Sequence, residues 1–110
     1  MLEKRTKEFA FDVVRISKRI PFSVENKVLK TQVTKSATSI GANYREANRS
    51  SSKADFVYKI KICEGEANET IYWLELIQML ELDDNIILEK ALQEAKEILA
   101  ILSCIIKKLS

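Results

Sequence analysis

Apolar residues return at alternating steps of four and three along almost the whole chain, and two glycines and one proline are all that interrupt its 110 residues. Steps of four and three keep side chains on one face of an α-helix. An all-β sandwich or barrel needs a turn every 8–12 residues or so. This chain lacks the turn-forming residues to supply them.

Four segments follow from that spacing. In the first, about residues 2–19, Leu2, Thr6, Phe9, Val13, Ile16 and Ile20 share one face, and Pro21 ends the run. Proline has no N–H to donate and restricts the residue before it. Ser23 is placed to cap the second helix, about 23–47, whose seam is Leu29, Val33, Ser36, Ile40, Asn43 and Ala47. A stripe of small residues (Thr34, Ala37, Thr38, Gly41) runs beside that seam and admits a close neighbour. The run ANRSSS is the clearest loop, and Ser52 with Asp55 opens a third helix, about 53–81.

That third helix carries two stripes. Phe56, Ile60, Cys63, Ala67, Thr70, Leu74 and Ile77 form one; Ile62, Glu66, Glu69, Trp73, Leu76 and Leu80 form the other. A helix in a monomeric bundle needs one apolar face, so the second stripe suggests contact with another subunit through Ile62, Trp73, Leu76 and Leu80. Asp83, Asp84 and Asn85 supply caps for a fourth helix, about 85–108, with Leu88, Leu92, Ala95, Leu99, Leu102, Ile106 and Leu109 on its seam. Short connections favour antiparallel neighbours. The expected fold is a single domain, residues 1–110, all-α, built as an up-down-up-down four-helix bundle.

The chemistry is bounded largely by what is missing. There is no histidine, which removes the usual nucleophilic triads and the Glu-x-x-His ligands of bundle di-metal sites. Gly41 and Gly65 are isolated, so no phosphate-cradling glycine loop exists. Cys63 and Cys104 follow no metal or redox spacing and read as two reduced core thiols. No enzyme, catalytic residue, metal or cofactor is expected. The N-terminus MLEKRTKEFAFD has no apolar block, and no apolar run approaches the roughly 18 residues of a membrane span. The expectation is a cytoplasmic protein without membrane contact.

Charge is distributed unevenly. Residues 1–61 hold 14 Lys and Arg against 6 Asp and Glu, a balance of +8, while residues 62–110 hold 4 against 10, a balance of −6. Such asymmetry serves a polyanion partner or lets basic helices pack beside acidic ones. Arg15, Lys18 and Arg19 end the first helix, Lys27 and Lys30 open the second, and Arg45, Arg49 and Lys53 surround the serine loop. These eight are the candidate phosphate contacts. Tyr44 and Tyr58 are the aromatics expected to be exposed enough to stack on bases. Asn43, Glu46, Asn68 and Glu69 are expected to form a polar network between the second and third helices, because buried polar groups persist when paired.

The stretch SIGANYREANRSSSKADF, followed by KICEGEANETIYWLELI, resembles the small bacterial four-helix-bundle proteins encoded in intervening sequences of 23S ribosomal RNA genes. The likeness is sharpest from Ser39 to Ala47, through the Ser-rich turn and Phe56, and at Gly65 and Glu69. The accessory protein of diversity-generating retroelements is similar in fold. The resemblance implies a homo-oligomer, with a pentameric ring as its expected form. Its retroelement branch implies binding to a reverse transcriptase and to RNA or DNA through basic surfaces. The rRNA-gene branch brings a ribosomal component into consideration as a partner.

Overall fold

The structure, a computed structural model, describes residues 1–83 and 86–110. Four helices occupy most of them: α1 (Leu2–Arg19), α2 (Val24–Ala47), α3 (Lys53–Met79) and α4 (Ile86–Leu109). No strand occurs among the described residues. Each helix packs on two others, in the cyclic order α1–α2–α3–α4, so all four surround one core. The molecule measures 44 × 22 × 20 Å. Its long dimension matches the 27-residue α3, since a helix rises about 1.5 Å per residue.

Local chemistry sets the boundaries. Ile20 turns extended (φ −74°, ψ 126°) ahead of Pro21 and stops α1. The Ser23 hydroxyl accepts the Asn26 N–H at 3.0 Å, and Ser52 accepts that of Asp55 at 3.1 Å, so both expected caps form. The third helix ends two residues earlier than its apolar spacing predicts. Glu81 takes a left-handed conformation (φ 54°), the Glu81 N–H donates to Gln78 O, and the Leu82 N–H reaches back to Ile77 O at 3.2 Å. This is a Schellman ending, with glutamate where glycine is favoured. Asp83 accepts a bond from Arg19 at 2.7 Å. The caps expected from Asp84 and Asn85 lie outside the described residues.

The core is the face that the four-three spacing marks. Phe9, Val13, Ile16, Val33, Ile40, Ile60, Leu74, Ile77, Ile98 and Leu102 are all buried, with Thr6, Ser36 and Thr70 beside them. The Thr6 hydroxyl donates back to Leu2 O (2.9 Å), which satisfies it in an apolar setting. Cys63 is a buried thiol that donates weakly to Ile40 O (3.5 Å). Cys104 corrects the expectation of two core thiols: it is exposed, one position beyond the half-buried Ser103 on the turn of α4 that faces out.

The charge asymmetry has an internal use. Arg5 on α1 bonds both Glu94 (2.8 Å) and Glu97 (2.7 Å) on α4, and Arg19 pairs with the largely buried Asp83. Basic α1 thus lies against the acidic half of the chain. Such partly exposed pairs contribute up to about 1 kcal/mol each. They hold register along the α1–α4 seam more than they stabilise it.

Candidate nucleic-acid interface

The eight basic residues singled out in the sequence do not form one surface. Arg19 is neutralised by Asp83. Lys30 donates its ammonium to Ile20 O at 2.8 Å, covering a carbonyl at the end of α1. Arg49 donates to Arg45 O at 3.2 Å. Arg15 lies over the ring of Phe11, 5.7 Å from its centroid. Lys53 lines a separate shallow groove with Lys61 and Tyr58, next to the end of α4. Lys18 and Lys27 are exposed.

Arg45 belongs to a different constellation. It rims a groove of about 550 Å³ between α1 and α2, opposite Lys4 and Lys7. The floor is made of Thr6, Ala10, Thr38, Gly41 and Ala42, so the small-residue stripe of α2 is what opens it. The close approach is measurable at Gly41, where an added Cβ would stand 3.1 Å from Thr6 Oγ1 and 3.5 Å from the Thr6 backbone carbon. Among the described residues Lys4, Lys7 and Arg45 join no ion pair. The groove's one carboxylate, Glu3, already accepts the Asn48 amide at 2.8 Å. Thr38 donates to Thr34 O (2.8 Å) and leaves the floor without a free donor. The groove therefore offers positive charge at its rim and a flat, mostly apolar base.

Lys4 and Lys7 were absent from the sequence-based set, and so was Phe11. The signal was present: residues 4, 7, 11 and 18 follow the same three-four steps as the core, one face further round the helix. Of the two tyrosines expected to be available for stacking, Tyr58 is exposed, whereas Tyr44 is half-buried and packs on the core.

The polar network assigned to Asn43, Glu46, Asn68 and Glu69 does not link α2 to α3. Asn43 is half-buried and donates to Ser39 O of its own helix (2.8 Å). Glu46, Asn68 and Glu69 are exposed, and Glu69 accepts the Trp73 indole N–H one turn on, at 3.2 Å. Outward positions keep these groups hydrated, so no cross-helix partner is required. Buried polar contact between α2 and α3 comes instead from Thr70 Oγ1 and Ser36 Oγ, 2.8 Å apart, beside the weak Cys63 thiol bond to Ile40 O. Nearby, burial and then the Glu69 charge raise the Glu66 carboxyl above its usual range, with Lys35 opposing.

The second stripe of α3 divides. Ile62, Trp73 and Leu76 are half-buried, Trp73 packing on the core, while Leu80 is exposed. Tyr72 and Met79 join Leu80 on the outside, at 59% and 78% exposure. Gly65 lies in the middle of this helix with nothing within 4 Å of an added Cβ.

Fold and groove together define a class: a four-helix protein whose first two helices present a cationic, small-residue groove. The description of 23S rRNA-intervening sequence proteins matches residues 2–104, and the chain belongs to that family. It is similar to a crystal structure from Bacteroides thetaiotaomicron VPI-5482, described as a protein with unknown function from the S23 ribosomal protein family. The two share 38% sequence identity with a TM-score of 0.87, over 97% of this chain and 99% of that one. No curated protein matches the chain.

Proposed function

We propose that the chain is a non-enzymatic, cytoplasmic, antiparallel up-down-up-down bundle that binds RNA or DNA, free or in a ribonucleoprotein, along the α1–α2 groove. The observation that carries this reading is the set of three cations, Lys4, Lys7 and Arg45, that have no ion-pair partner among the described residues and stand over a floor of small, mostly apolar residues. Phosphate neutralisation by such groups releases counterions, so affinity falls with salt by a slope of about 0.7 per contact on a single strand. A titration of a labelled mixed-sequence oligonucleotide across salt concentrations tests it. Loss of all three cations by alanine substitution is expected to lower the slope by about 2. Salt-insensitive binding, or none at low salt, removes the proposal.

A self-associating form accompanies this reading. The exposed Tyr72, Met79 and Leu80 and the half-buried Ile62, Trp73 and Leu76 give α3 an apolar outer strip, and Gly65 leaves room there for another backbone. A homopentameric ring on that strip would present several copies of the groove and multiply weak phosphate contacts. The same strip supports the second reading, a protein-binding scaffold that engages a reverse transcriptase or a ribosomal component without touching nucleic acid itself. Charge reversal at Arg45 separates the two, since it abolishes nucleic-acid retention under the first and leaves protein capture intact under the second.

A further inference from the structure

Phe11 is an apolar ring on the outside of the molecule, 63% exposed in the middle of α1. Its neighbours on the helix are charged, and the charges are sorted. Arg5 reaches α4, so Glu8 and Asp12, three and seven residues on, share that flank; Glu8 also lines a hollow with Ile101 of α4. Lys7 turns the other way, into the groove against α2, and Lys4 stands between the two, lining both the groove and the α4-side hollow. Phe11 follows Lys7 by one turn, just beyond the residues that line the groove, and Arg15 covers one side of its ring at 5.7 Å.

We infer that the α1–α2 groove takes a single strand of nucleic acid, with its phosphates at Lys4, Lys7 and Arg45 and an unpaired base stacked on Phe11. The inference rests on the groove reading above and adds the strandedness. A phenyl ring has no donor or acceptor, so it reads no base edge; it offers a π-face, which an unpaired base can meet and a paired, stacked one cannot. Arg15 beside the ring adds a cation to the stack and a further contact for phosphate. Glu8 and Asp12 repel phosphate on the α4 flank, so the strand is steered toward α2. Seven residues separate Lys4 from Phe11, about 10 Å along the helix, so one short segment of strand reaches both. The contact is expected to tolerate any sequence, because every base has a π-face.

The test measures binding of a fluorescein-labelled mixed-sequence single-stranded RNA, and of the same RNA annealed to its complement, to the full chain at fixed low salt. Phe11→Ala is expected to weaken single-strand binding by about 5- to 150-fold, the range of one lost base–aromatic stack. Duplex affinity and salt slope should stay unchanged, and Phe11→Trp should restore binding. Lys4→Ala with Lys7→Ala should instead lower the salt slope, by about 1.4. If Phe11→Ala leaves single-strand affinity unaltered while the lysine pair still matters, the stacking inference fails and the groove reading stands. If the unaltered chain binds neither RNA, both fail. If Phe11→Ala changes the sedimentation of the free protein, the ring belongs to a contact between copies and the inference is overturned. Since Phe11 lies outside the core, an unchanged unfolding temperature is the control for folding.

Discussion

Alanine at the two glycines should move stability in opposite directions. Both lie inside helices and neither has a positive φ. A glycine inside a helix costs about 0.8–1.0 kcal/mol relative to alanine. At Gly65 an added methyl meets nothing, so Gly65→Ala should recover that whole amount. Unfolding entropy near 2.1 cal/mol/K per residue makes 1 kcal/mol worth about 4 °C for a chain of this length. At Gly41 the same methyl would press on Thr6 from 3.1 Å. Thr6 is fully buried and its hydroxyl is tied to Leu2 O and Glu3 O, so it cannot swing away. Either α1 shifts or the contact stays compressed, which costs about 1–3 kcal/mol. The net change for Gly41→Ala is then a loss of up to about 2 kcal/mol, or about 8 °C. Thermal unfolding followed by far-UV circular dichroism, on dilute protein below any self-association, reads both. In a Thr6→Ala background the Gly41→Ala penalty should shrink by about 1 kcal/mol, since contacting side chains couple on that scale. A Gly41→Ala protein as stabilised as Gly65→Ala would refute the close α1–α2 approach that opens the groove.

Three further outcomes are expected. Glu81 adopts φ 54°, so Glu81→Gly should stabilise the protein by about 0.5–1 kcal/mol, relief of left-handed strain exceeding the added freedom of the unfolded chain; an unchanged or lower unfolding temperature counts against the α3 ending. The folded Glu66 pKa is raised above its unfolded value, so its stability contribution declines as pH rises through the window between the two. Glu66→Gln should therefore be the more stable protein at neutral pH, and the advantage should vanish below the ordinary carboxylate range; denaturant titrations at several pH values check this. Burial pushes the Cys63 thiol up to about 11, so a water-soluble thiol reagent should label Cys104 rapidly in the native protein and reach Cys63 only on unfolding.

The helices and their inner faces were legible because both depend on local periodicity and capping chemistry. Ser23, Ser52 and Pro21 act where their own backbone constraints place them, whatever the tertiary structure. The end of α3 was less legible, because Leu80 continues the apolar spacing while Glu81 breaks the helix through a left-handed turn that sequence pattern does not encode. The site was legible only in part. Which cations are spent depends on contacts between distant residues: Arg19 on Asp83 and Lys30 on Ile20 are invisible until the helices are docked. Lys4 and Lys7 are far from Arg45 in sequence and meet it only across the groove, once α1 is docked on α2. The expected Asn43–Glu69 network failed for a related reason. Polar residues near a seam read as buried, and these face water or their own helix.

The central claim is that nucleic acid lies between α1 and α2. Photo-crosslinking of the unaltered protein to a uridine-containing single-stranded RNA, with the crosslinked peptides mapped by mass spectrometry, tests it most directly. The account predicts adducts within residues 4–11 and 38–45, and their loss when Lys4, Lys7 and Arg45 are replaced. Crosslinks concentrated instead at Tyr58 and Lys61, or adducts that persist in the triple variant, would contradict it.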